Sequence, residues 1–238
     1  VPEQRYNQTK VSEYREAATK LHEALLTVEQ RLDSAFENGI DQAVHDALAE
    51  LNASGVALEK LRATLTPTDL FIAKYNIQVQ GAHEVSFVLP EGISRYEMLS
   101  EAQGLVWERD LIMPSQLKGW ENDSKFTAPC GTPERIQIDG HVEGGDGKGR
   151  PEQEAFLTGK GLTPVLLEDL AAAFAAHYIA TGDPLFEWFE DYDCTPLVRA
   201  ADGALIFAAS GLIVFDFSDS NSNNNVAVAA RVPRNSKN

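Results

Sequence analysis

Along residues 8–38 the apolar positions Tyr14, Ala18, Leu21, Leu25, Val28, Leu32 and Ala35 recur at alternating spacings of four and three. That heptad period predicts one long helix with a single apolar seam. Asn38-Gly39 is a stop signal, because glycine takes the left-handed conformation that ends a helix at little cost. Ile40-Asp41 opens a second helix, in which Val44, Leu48, Leu51, Leu58, Leu61 and Leu65 repeat the pattern. Gly55 falls on this second seam, where it would let a partner helix come close. Thr66-Pro67 ends the pattern. Two amphipathic helices joined by a short loop predict an antiparallel hairpin over residues 1–66. Two helices cannot cover both seams, so the hairpin is expected to dock or to oligomerise.

After Pro67 the texture changes. Residues 77–80 and 84–89 alternate as strands around a turn at Gly81. Ser94 caps a following helix, with Glu97 completing a capping box and Gly104 ending it. Residues 113–161 read as loop-rich, with the glycine run 144–149 as a flexible tip. A second helix follows, with Thr163 as its cap, Pro164 in its first position and Glu168 and Asp169 in its first turns. Gly182-Asp183-Pro184 stops it. Trp188, between Phe186 and Phe189, would pack beneath the strands that follow at 195–199, 204–207, 212–217 and 226–232. The whole predicts an α+β chain: a helical hairpin, then one domain over residues 67–238.

Composition narrows the function classes. The formal net charge is −16, which argues against nucleic acid or an anionic membrane surface, since both require clustered Lys and Arg. No apolar run reaches membrane-spanning length. Cys130 and Cys194 are the only cysteines; they form either one disulfide or two independent thiols.

The motifs that would carry chemistry are thin. The glycine run 144–149 has no strand-turn-helix context and no Lys-Ser/Thr pair, so it is not a phosphate-binding loop. The acidic turn 121–123 offers oxygen ligands of the kind Ca²⁺ takes, but a lone acidic turn is ordinarily just solvated. His141 and His177 form no metal spacing with a cysteine. His177 sits late in an apolar helix, where core packing is its ordinary role. No nucleophile elbow occurs. An enzyme is therefore not expected, and no cofactor or metal is predicted. The alternatives are a metal-dependent lectin or enzyme with Asp139, His141, Glu143 and Asp146 around an ion, and a structural protein whose hairpin drives assembly while the β-rich domain is only a spacer.

The C-terminal segment carries the most unusual pattern. Residues 191–236 contain no Glu, Lys, Gln, Met or Trp, although these five types make up 45 of the 238 residues. Strands deplete Glu and Lys, but that accounts for only part of the deficit. The polar run 218–225 then opens directly into the alternating segment 226–232. The order of strand, capped helix, loop region, helix and short strands ending in Ala-Ala-Arg-Val-Pro resembles the C-type lectin fold in its formylglycine-generating-enzyme-like branch. The ending is similar to that of the variable proteins of diversity-generating retroelements. Adenine-directed change in the first two bases of Asn-type codons cannot produce Glu, Lys, Gln, Met or Trp, which matches the bias. The resemblance implies a last strand closing beside the first, and a diversified surface over about residues 191–233. It does not imply catalysis: the cysteine motif of formylglycine-generating enzymes is missing, as are the Glu-Pro-Asn and Gln-Pro-Asp motifs of calcium-dependent sugar binding.

Under this resemblance the varied patches are Asp191, Tyr192 and Asp193; Ala200, Ala201 and Asp202; Phe207, Ala208 and Ala209; and Phe215, Asp216 and Phe217, with Ser218, Asn221 and Asn223. Exposed aromatics would supply contact area, and Asp and Asn adaptable hydrogen bonds. Period two also puts Phe215 and Phe217 on one strand face with Ile213, so they are either binding aromatics or core. The expected function is non-enzymatic binding of a protein or glycan ligand, with a homo-oligomer through the hairpin as a further partner.

Overall fold

The computed structural model describes residues 5–38, 42–106, 111–112, 114–145, 148–185, 197–202, 204–208, 211–215 and 226–232. The chain is mixed helix and strand and divides into two compact units, one of residues 6–73 and one of Arg5 with the chain from Lys74 onward.

The first unit holds α1 (Gln8–Asn38), α2 (Gln42–Arg62) and most of α3 (Pro67–Lys74). Lys10 Nζ donates to the Thr64 carbonyl at 3.1 Å, and Leu21 faces Gly55. A Cβ on Gly55 would meet only Leu21 Cδ1 at 3.9 Å, an ordinary contact, so close approach does not require glycine there. The buried positions are Val11, Ala24 and Val28 on α1 with Val44 and Ala47 on α2. The expected seam thus holds at Val28 and Val44, but Ala24 is buried beside the expected Leu25 and Ala47 beside the expected Leu48, both of which stay exposed. Small alanines at the contact bring the helix axes together and leave the leucines on the flank. Leu25, Leu32, Leu48 and Val56 are 43%, 41%, 44% and 48% exposed.

The boundary between units falls after Ala73 rather than after Thr66. Hydrogen bonds from the first unit hold α3. Thr66 caps it by accepting from the Asp69 amide at 3.1 Å, and the Asp69 carboxylate accepts in return from the Thr66 amide at 2.9 Å and from the Asn7 amide at 2.8 Å. Arg15 Nη2 donates to the Ile72 carbonyl at 2.6 Å. Burial works against an ionised Asp69, but the Thr66 and Asn7 amides outweigh it and hold the carboxyl below its usual range.

The second unit begins with β1 (Gln78–Val79) and β2 (Glu84–Leu89), as the alternation predicted. Then comes α4 (Arg95–Gly104), whose capping box is present in full, with Ser94 and Glu97 bonding each other's amides. Residues 113–161 are less loop-rich than their sequence suggests. They contain α5 (Pro114–Trp120), α6 (Ser124–Thr127), β3 (Glu134–Asp139) and α7 (Arg150–Gly159). Trp120 of α5 stacks on Phe126 of α6 with centroids 4.3 Å apart.

Thr163-Pro164 forms a short strand, β4, and not a helix start; α8 runs from Leu167 to Thr181. β4 pairs with β9 at one edge of its sheet, and an edge is where a strand tolerates proline. Every residue of α8 is buried, its polar Glu168, Asp169, His177 and Thr181 included, and Gly182 closes it with φ +81°.

The remaining strands are β5 (Leu197–Arg199), β6 (Ala204–Ala208), β7 (Gly211–Phe215), β8 (Val226–Val228) and β9 (Ala230–Arg231). Two sheets result, ordered β1-β2-β3-β9-β4 and β7-β6-β5-β8. The segment expected as one strand over 226–232 is split between them at Ala229. The last strand lies between β3 and β4, two strands removed from β1, which corrects the expected closure beside the first strand.

Candidate functional site

β5 aligns antiparallel with β6, pairing Leu197 with Ile206, and parallel with β8, pairing Leu197 with Val226. β6 pairs antiparallel with β7, Phe207 opposite Leu212 and Ala208 opposite Gly211. The start of β5, the start of β8, the end of β6 and the start of β7 therefore share one end of the second sheet. Phe207 and Ala208 stand there. The predicted patches 191–193 and 218–225 precede β5 and β8 in the chain. Asp191, Tyr192, Asp193, Ala209, Asp216, Phe217, Ser218, Asn221 and Asn223 themselves lie outside the described residues, as do Phe186, Trp188 and Phe189.

The other predicted patches sit at the opposite end. Phe215 pairs with Ala204, and Arg199 also pairs with Ala204, so residues 200–202 follow at that end. Four residues of β6 separate the two ends by about 13 Å. The structure therefore does not bring Phe215 and Ala200–Asp202 together with Phe207 and Ala208.

Residues 200–202 also have structural work that their sequence did not announce. Ala200 is 3% exposed, which removes it from any ligand-contacting surface. The Ala201 amide donates to the Val165 carbonyl at 2.7 Å, and its own carbonyl accepts from Arg150 Nη2 at 2.7 Å. Asp202 Oδ1 accepts from the Leu167 amide at 3.0 Å, and Oδ2 pairs with Lys125 Nζ at 2.8 Å. The N-cap of α8 is Leu166, which has no side-chain acceptor, so Asp202 caps this helix from a distant turn. Burial opposes its charge, but Lys125 and the Leu167 amide hold the carboxyl below its usual range. Replacing Asp202 with alanine is expected to cost about 1–2 kcal/mol, the worth of a helix cap. Urea unfolding measures it, and a loss under about 0.3 kcal/mol would remove the capping role.

A buried ion network ties the C-terminal strand to this framework. Arg95 donates to Asp169 Oδ1 at 3.0 Å through Nε and to Glu134 Oε2 at 2.9 Å through Nη2. Arg231 Nη2 donates to Glu134 Oε1 at 2.6 Å, and its Nη1 stands 3.8 Å from Asp169 Oδ2. Burial pushes the Asp169 carboxyl above its usual range despite both arginines. Glu134 is less buried, and Arg231 and Arg95 outweigh burial and hold it below its range. Network members come from α4, β3, α8 and β9, and sequence spacing gave no sign of the grouping.

The metal alternative finds no such grouping. Asp139 Oδ1 accepts from the His141 amide at 3.0 Å, closing a turn, and the His141 ring meets His83 edge-on at 5.6 Å. Asp146 lies outside the described residues, and among those described no three metal-ligating side chains gather. The acidic turn is likewise structural, since Asp123 caps α6 through the Lys125 amide. The Cys130 thiol is free and donates to the Thr132 carbonyl at 2.9 Å; Cys194 lies outside the described residues. No described helix is long and apolar enough to cross a membrane.

Comparison with known proteins finds no matching family model, no matching curated protein and no matching solved structure.

Proposed function

We propose that this chain is a non-enzymatic ligand-binding protein of the diversity-generating-retroelement type. Its C-type lectin-like domain would display a diversified surface at the end of the second sheet, toward a protein or glycan. One observation carries the reading. The strand starts that follow the biased segments 191–196 and 218–225 share a sheet end with Phe207 and Ala208. Such a geometry lets loops change while paired strands hold their ends, so specificity can vary without loss of the fold. The absence of Glu, Lys, Gln, Met and Trp from residues 191–236 supports it independently.

The deciding experiment is genomic. A neighbouring reverse transcriptase and a template repeat that matches the end of this gene except at adenines are expected, and their absence would sink the reading. A second expectation is physical: replacing Tyr192, Asn221 and Asn223 together with alanine leaves the melting temperature within about 2 °C, as surface changes do. A cooperative loss of folding in that variant would make these residues core.

The helix pair α1–α2 supports a further role as an antiparallel hairpin that joins copies of the chain. Leu25, Leu32, Leu48 and Val56 on its flanks are each more than two-fifths exposed and available to a second copy. Light scattering is expected to give a multimer for the full chain and a smaller mass for a Leu25→Ser, Leu48→Ser variant. A monomeric full chain would end that role.

A further inference from the structure

We propose that His177 is an acid-released clamp on the turn that leads the chain out of α8 toward β5. The ring is wholly buried in the last turns of α8, and its Nδ1 lies 3.0 Å from the Asp183 carbonyl oxygen. A carbonyl only accepts, so the proton of the neutral ring sits on Nδ1 and Nε2 is left with a bare lone pair. Nε2 is buried and has no hydrogen-bond partner among the described residues.

The turn itself is closely stitched. Thr181 Oγ1 donates to the His177 carbonyl at 2.8 Å and accepts from the Asp183 amide at 3.0 Å, around the left-handed Gly182. From the far side, His83 Nδ1 stands 2.9 Å from the Leu185 carbonyl. The Leu185 side chain fills the space above Gly140, where a Cβ would come within 2.6 Å of Leu185 Cγ. Two imidazoles from separate parts of the chain thus hold the carbonyls of residues 183 and 185.

The groups around the ring decide what acid does. His83 and Asp183 face His177, and the Arg5 guanidinium lies against Gly182 of the turn; around His83 stand His141, Asp139 and Glu84. Of the elements packed on α8, β6 carries no titratable residue and β2 carries only Glu84. β3 and α4 meet α8 through Glu134 and Arg95 at Asp169, about two turns from His177. Burial and then His83 push His177 below the ordinary imidazole value of 6.5, while the Asp183 and Gly81 carbonyls and the Asp183 carboxylate pull only partly against them. The folded ring therefore takes a proton less readily than the unfolded one, so its contribution to stability is complete above pH 6.5 and falls as the pH drops below it. A proton added to Nε2 finds no partner within hydrogen-bond distance among the described residues and only partial compensation from the Gly81 carbonyl, so opening the turn is the least costly way to hydrate it. The clamp does not rest on the function proposed above.

Hydrogen exchange followed by mass spectrometry on the full chain, at pH 7.5 and pH 5.0 with times scaled for intrinsic rates, reads the clamp. Peptides covering residues 178–185 are expected to lose protection by about tenfold or more at the lower pH, while α4 and β2 keep theirs. In His177→Asn, which keeps a donor near the Nδ1 position but cannot titrate, that loss should vanish. Equal protection at both pH values, a loss shared by α4 and β2, or an undiminished loss in the variant would each overturn the clamp. If His177→Asn does not fold, nitrogen-15 spectra of the histidines in the unchanged chain decide. A neutral His177 protonated on Nδ1 until protection falls supports the clamp. The opposite tautomer, or a charged ring with protection intact, overturns it.

Discussion

Replacing Asp169 with asparagine is expected to lower stability by about 3 kcal/mol, the range found when one partner of a buried ion pair is removed. In a unit of this size that corresponds to a fall in melting temperature of about 10 °C. The carboxylate is 1% exposed and Arg95 is 15% exposed, so solvent screens little of the interaction. Asparagine keeps the volume and one acceptor, but it leaves Arg95 with Glu134 alone and Arg231 without its second partner. Arg231 is 35% exposed, so Arg231→Met should cost distinctly less. Circular dichroism melts of the three proteins measure both effects. A drop under about 1 kcal/mol for Asp169→Asn would mean that water replaces the network, and that the last strand is held by its ladder alone.

Gly145→Ala is expected to cost about 2 kcal/mol by overpacking. A Cβ there would overlap Val228 Cγ1, approach the Val142 carbonyl to 3.0 Å and lie 3.4 Å from Phe156. Neighbouring groups cannot easily give way. Val228 is buried beside Val142, Leu157 and Ala230, and buried Gln153 donates to the Gly145 carbonyl at 3.1 Å. The contrast is Gly159→Ala, which meets nothing within 4 Å and should be neutral or slightly stabilising in its helix. Guanidinium unfolding of the pair tests this, and equal midpoints for both variants would refute the packing role of Gly145. The start of the glycine run, expected as a flexible tip, is thus part of the packing beneath β8.

The same contrast runs through the chain. Features legible in the sequence were those whose partners lie two to four residues away: the Ser94–Glu97 box, the Gly182 stop, the heptad periods of α1 and α2, and the alternation of β2. Backbone geometry brings such residues together whatever the rest of the chain does. The alternation of β3, Glu134–Asp139, is equally local, but the glycine and proline on either side give its surroundings the look of a loop. Of the candidate binding surface, the sequence located Phe207 and Ala208 beside a turn, but it also grouped them with residues 200–202 and Phe215. Only strand register separates the two sets.

By itself, then, the sequence determined the kinds and order of most elements, the change of texture near Pro67, and the compositional bias of residues 191–236. Tertiary structure alone decided which seam positions are buried, that Thr163-Pro164 is an edge strand, that residues 226–231 serve two sheets, and that Asp202 caps a helix. The physical reason is separation along the chain. Asp202 meets Leu167 across 35 residues and Arg231 meets Glu134 across 97. Such bonds form only after hydrophobic burial has brought their elements together, so no local pattern of residues records them.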